Sequence, residues 1–124
     1  MNHDKLLELY DQVLTYSDWI EPFAPIWSLV DEAAKCAAEL RSEDWLFDEI
    51  DTHEPLPMQT VLERKKLLVI LRAMIDGTFR YDERPNVIDL DGTLFIYNGH
   101  HRIYIARKLG IKSIAVNYKD VTPD

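Results

Sequence analysis

From Asp4 to Trp19 the apolar residues Leu6, Leu7, Tyr10, Val13 and Leu14 recur at three- and four-residue intervals. This predicts an amphipathic helix with Asp4 as its cap. Glu21-Pro22-Phe23-Ala24-Pro25 ends that helix. A second helical pattern runs from Pro25 to Leu40 through Ile26, Trp27, Val30, Ala33, Ala34 and Ala37, with Pro25 tolerated in the first turn. The pattern weakens over 41–57. Trp45, Leu46, Phe47 and Ile50 suit a short helix, and Thr52-His53-Glu54-Pro55-Leu56-Pro57 suits an irregular connection, because its two prolines remove backbone donors.

The second half reads as alternating strands and helices. Met58-Gln59-Thr60-Val61 predicts a short strand, and Leu62 to Asp76 a helix with Leu67, Leu68, Leu71, Met74 and Ile75 inward and Gly77 as its C-terminal cap. Asn86–Leu90 and Thr93–Tyr97 flank Asp91-Gly92, a dipeptide that tolerates positive φ and so favours a two-residue hairpin turn. Gly99 breaks the second of these strands. His100 to Leu109 then predicts a helix, Gly110 its cap, and Ile111 to Lys119 a closing strand. The expected fold is α/β in the broad sense (α+β): a small mixed sheet of 58–61, 86–90, 93–97 and 113–118 with an N-terminal helical pair packed on it.

With 124 residues the chain suits one domain, divided into an acidic helical layer (1–57) and a core (58–124). No apolar run reaches the length of a membrane span, and the opening residues lack a signal-peptide pattern, so a soluble, cytoplasmic protein without a membrane partner is expected. The single cysteine, Cys36, sits among alanines. It excludes an intrachain disulfide and reads as a small packing residue. The net charge of −8 is uneven: residues 1–57 hold fourteen acidic against three basic residues, and residues 58–124 hold eight against eleven. An acidic chain does not favour nucleic acid as a partner, whereas its mildly basic half suits a phosphate.

The candidate chemistry lies in Asn98-Gly99-His100-His101-Arg102. A helix start presents free N–H groups and a partial positive charge, so acidic residues normally open a helix. This one opens with two histidines and an arginine, and a broken local rule points to a functional site. A bound anion resolves the conflict. The N–H groups and Arg102 would hold a phosphate, and Gly99 would let it approach the backbone. Each residue also has a simpler reading: Asn98 as a helix cap, Gly99 as a turn former, Arg102 as the partner of Asp89 or Asp91. His101, four residues before Ile105, points to the packed face and His100 to a more open one. Both are candidate catalytic proton acceptors, and both fit structural or orienting roles equally well.

The stretch Val87 to Arg102, with Ala106, Leu109-Gly110 and Ile114-Ala115-Val116 behind it, resembles the ParB/sulfiredoxin superfamily. That family's pattern is a hairpin, a Gly-X-X-Arg turn into a helix, an Ala in that helix, a Leu-Gly cap and a strand. The resemblance covers about 34 residues strongly and leaves 1–57 outside. It implies nucleotide-phosphate binding at Gly99, His100, His101 and Arg102, and no single reaction; a nucleotide, ATP or CTP, with Mg²⁺ is the expected cofactor. His100 stands where sulfiredoxins place their reactive cysteine, which argues against sulfinic-acid repair. His100 and His101 replace the Glu-Arg of partition proteins, and no helix-turn-helix follows, which argues against chromosome partition. The Gly-His-His-Arg turn fits the Gly-His-X-Arg of the kinase-like members best.

Three functions therefore compete. The first is a nucleotide-binding domain that hydrolyses or transfers a phosphoryl group, with Asp89, Asp91, Glu63 and Asp51 as candidate Mg²⁺ ligands. The second is a non-enzymatic interaction protein whose acidic half, interleaved with Trp19, Trp27 and Trp45, meets a protein partner or imitates nucleic acid. The third, a DNA-binding or ParB-like nuclease domain, rests only on Arg64-Lys65-Lys66, and three such charges on a helix usually form a solvated face.

Overall fold

The computed structural model describes residues 2–41 and 44–124. Among the described residues it is a mixed α+β structure with ten elements in the order α1 (His3–Leu14), β1 (Trp19–Ile20), α2 (Trp27–Ala37), β2 (Leu46–Asp51), β3 (Leu62–Glu63), α3 (Arg64–Asp76), β4 (Asn86–Leu90), β5 (Thr93–Asn98), α4 (His100–Lys108) and β6 (Ser113–Asp120). The four-stranded sheet has the order β2-β6-β4-β5, and β1 and β3 form a separate antiparallel pair. Among the described residues no helix is long and apolar enough to cross a membrane.

The hairpin follows the sequence reading. β4 and β5 pair antiparallel with Leu90 opposite Thr93, and Asp91 and Gly92 both take positive φ, 51° and 86°. Asp89 fixes the turn by accepting from the Gly92 N–H at 2.8 Å, and its other oxygen accepts from the Tyr118 hydroxyl at 2.5 Å. Gly77 closes α3 in the left-handed region, with Thr78 N–H returning to the Ala73 carbonyl.

Two expected elements are replaced. Residues 46–50 are not a short helix but the edge strand β2, paired along its length with β6 so that Ile50 lies opposite Ile114. Six residues with three apolar positions fit either period, and pairing with β6 decides between them. Ser42 and Glu43, in the same ambiguous segment, lie outside the described residues. Residues 58–61 are not a strand: they run beside the start of α4, where the His100 side chain rather than a neighbouring strand takes up the Met58 N–H. The expected sheet thus exchanges 58–61 for 46–51.

The N-terminal helices do not form one paired layer. α1 buries Leu6, Leu9 and Val13 against Leu62, Leu67 and Leu71 and against Tyr104, Ile105 and Leu109 of the α4 region. α2 places Ala33 and Ala37 on Ile88, Leu90 and Phe95 of the sheet. Leu14 and Trp27, expected inward, are exposed; Leu9 takes the inward place on α1. Asn2 rather than Asp4 caps α1, its Oδ1 accepting from the Asp4 N–H at 3.0 Å. The helix ends at Leu14, well before Trp19, where the apolar spacing gives way to Thr15, Ser17 and Asp18.

Candidate functional site

Gly99 is the pivot of the site. Its φ of 90° is open to glycine at no steric cost, and a Cβ there would lie 2.7 Å from Pro85 Cβ and 2.9 Å from Pro85 Cα. The chain therefore turns from β5 into α4 with its backbone pressed on Pro85. No side chain caps α4. Asn98 does not fill that role, because its Oδ1 reaches across the sheet to the Asn86 N–H at 3.3 Å.

The two histidines are placed the opposite way to the spacing argument. His100 is the buried one, at 3 % exposure, with its ring edge-on to Phe23 at 5.8 Å, while His101 is half-buried. The i, i+4 rule failed because Phe23, from the connection before α2, covers the side taken as open. His100 Nε2 accepts from the Met58 N–H at 3.0 Å, and His101 Nε2 accepts from the Glu63 N–H at 3.1 Å. A backbone N–H can only donate, so each neutral ring carries its proton on Nδ1. Together the rings hold 58–63 against the start of α4.

Both histidines are kept uncharged. Burial, then the neighbouring His101 and Arg107, pushes His100 down to about 4; burial and Lys66 lower His101. As placed, each ring has committed its Nε2 lone pair to a backbone donor, which favours the orienting role over proton abstraction.

Arg102 pairs with neither Asp89 nor Asp91. Its Nη2 lies 3.2 Å from Glu83 Oε2, and its guanidinium sits over the Phe79 ring at 5.0 Å. Asp89 and Asp91 belong to the hairpin turn, at the far end of β5 from Gly99. Six strand residues separate the two ends by roughly 20 Å, so neither carboxylate reaches the start of α4. Asp51 lies at the end of β2 opposite Ser113 and accepts from the His53 N–H. Glu63 alone of the four candidate metal ligands borders the site, and it pairs with Lys66 at 2.8 Å. Among the described residues no group of three His, Cys, Asp or Glu stands ready to hold a metal ion.

Lys65 and Lys66, expected on a solvated face, both line a groove with Gly99, His101 and Arg102. The Glu63–His101 hydrogen bond places the first turn of α3 beside the first turn of α4. α3 also has no side-chain cap and no acidic residue in its first turn. Two helix starts, each carrying cations where acids are normal, thus converge. On one side is a cavity of about 420 Å³ lined by Trp19, Gln59, Lys66, Tyr97, Gly99 and His101. The signal was present in sequence as Arg64-Lys65-Lys66, the same inversion seen at His100-His101-Arg102. Arg64 is taken up elsewhere, by Asp18 at 3.0 Å.

Compared with known protein families, curated proteins and solved structures, the chain matches none.

Proposed function

We propose that this protein binds a phosphate-bearing ligand, a nucleotide, where the starts of α3 and α4 meet. One observation carries the reading: two uncapped helix N-termini, with Lys65, Lys66 and Arg102 around them, converge in a chain whose overall charge is −8. Each helix end adds partial positive charge, and neutral histidines leave the N–H groups and cations to meet an anion. The resemblance to the ParB/sulfiredoxin superfamily supports the same ligand and rests on the residues 87–116 alone.

Mg²⁺, expected with a nucleotide, would be held mainly by the phosphates themselves, with Glu63 and Glu83 the carboxylates beside the site. It would neutralise charge on a transferred phosphoryl group. Hydrolysis or transfer is the reaction class that follows, with Arg102 and the α4 N–H groups stabilising charge and His100 and His101 holding the site's wall. An acidic partner surface remains the second reading. It is favoured by the β2 edge, where Leu46 and Phe47 are exposed beside Asp48, Glu49 and Asp51.

The test is nucleotide affinity, read by thermal shift and calorimetry, in Arg102→Ala and Arg102→Lys. Loss of a charge-assisted contact of about 1.5–3 kcal/mol weakens binding roughly ten- to a hundredfold, and lysine, lacking the planar fork, restores only part. Unchanged affinity in folded Arg102→Ala, or no nucleotide binding by the native protein, would refute the phosphate site and leave the acidic-surface reading in its place.

A further inference from the structure

Gly99 and Arg102 also border a second cleft, of about 420 Å³, lined with Arg84, Asn86, Asn98 and Asn117. Three of these residues are asparagines on three adjacent strands at one level. Asn117 of β6 lies opposite Asn86 of β4, and Asn86 lies opposite Asn98 of β5. The last pairing depends on an irregularity: the β4–β5 register shifts between Asn86 and Val87, so that Asn98 rather than Tyr97 stands level with Asn86. Bulges of this kind re-aim a side chain, and they gather beside functional sites. The row crosses three strands, roughly 10 Å from end to end.

The hydrogen bonds within the row use only part of its capacity. Asn117 Nδ2 donates to Asn86 Oδ1 at 2.9 Å, and Asn98 Oδ1 accepts from the Asn86 N–H at 3.3 Å. This leaves the Asn86 and Asn98 amide groups as donors and Asn117 Oδ1 as an acceptor, facing one cleft. Arg84, stacked on Phe47 at 4.7 Å, closes one side. Pro85 is held at its base by its carbonyl, which accepts from the Asn117 N–H at 2.8 Å. A phosphate at the start of α4 would have the rest of its molecule within reach of this row.

We propose that the asparagine row Asn86–Asn98–Asn117 reads the base of a nucleotide, making the ligand a nucleoside phosphate recognised by the mixed donor–acceptor edge of its base. This rests on the phosphate site proposed above and adds the element that tells one nucleotide from another. Carboxamides are suited to that task, because they present a donor and an acceptor side by side and match the amide-like edges of bases. The neighbouring Arg102 links the two subsites.

The experiment compares inorganic pyrophosphate with ATP, CTP, GTP and UTP by calorimetry on the native protein, Asn117→Leu, Asn86→Ala and Asn98→Asp. The native protein is expected to bind at least one nucleotide roughly ten- to a hundredfold more tightly than pyrophosphate. Asn117→Leu and Asn86→Ala should collapse that ratio toward one. Asn98→Asp keeps the shape and the Oδ1 that accepts from Asn86 but replaces the cleft-facing donor by an acceptor, and should change which nucleotide is preferred. A native protein that binds pyrophosphate as tightly as every nucleotide overturns the base subsite while leaving the phosphate site standing. An unchanged ratio in folded Asn86→Ala and Asn117→Leu overturns it as well. Failure to bind either ligand overturns both.

Discussion

Protonating His100 must break the hydrogen bond that holds Met58, because the Nε2 lone pair that would take the proton is the one accepting from the Met58 N–H. The charge would also form in a nearly closed site facing Arg107 and His101, which is why the folded pKa falls to about 4 from an unfolded value of 6.5. The unfolded chain therefore binds this proton first as pH drops. The contribution of neutral His100 is complete above pH 6.5 and is lost progressively as pH falls to 4. A displacement of that size corresponds to about 3 kcal/mol, or roughly 10 °C in Tm for a domain of this length. His101, lowered by burial and Lys66, acts in the same direction. The assay is urea unfolding between pH 8 and 4 for the native protein and His100→Gln, whose side-chain oxygen still reaches Met58 but does not titrate. The native protein should lose about 3 kcal/mol more than the variant between pH 6.5 and 4. Parallel curves would refute the account of His100 as a neutral, committed acceptor.

Glu83 competes with an incoming anion for Arg102 across a partly exposed ion pair. Glu83→Gln should therefore raise pyrophosphate affinity about two- to fivefold, measured by calorimetry; weaker binding would show that Glu83 positions Arg102 instead. Gly99→Ala forces a Cβ to 2.7 Å from Pro85 at a φ of 90°. It should cost about 1–3 kcal/mol in denaturant unfolding, and a neutral result would contradict the close approach. Deleting residues 1–40 removes Leu6, Leu9, Val13, Ala33 and Ala37 from two clusters, so insoluble or unfolded protein is expected. A soluble, folded fragment 58–124 would show that the helices are separable.

The hairpin, both glycine caps and α4 were legible because local chemistry alone specifies them: Asp91-Gly92 requires positive φ, and Gly77 and Gly110 end helices in the left-handed region. What escaped was decided by distant partners. β2 is indistinguishable from a helical turn until β6 pairs with it, and Leu46 and Phe47 stay exposed, so their apolar character carried no burial signal. Gly99, His100, His101 and Arg102 are consecutive and form the start of α4. The burial of His100 could not be read from its spacing within α4, because Phe23 lies 77 positions earlier in the chain. Lys65 and Lys66 were readable as an inverted helix start, the same signal that singled out Arg102. Their convergence with α4 depends on the Glu63–His101 contact, which no local pattern encodes.

The central claim is that an anion sits where the two helices begin, and backbone amide shifts in an ¹⁵N-labelled sample titrated with inorganic pyrophosphate test it most directly. The account predicts the largest, saturating shifts at the amides of His100, His101, Arg102, Lys65 and Lys66, with the hairpin-turn amides of Asp91 and Gly92 unmoved. Shifts that are absent at these positions, or equally small over every lysine- and arginine-bearing surface, would contradict it.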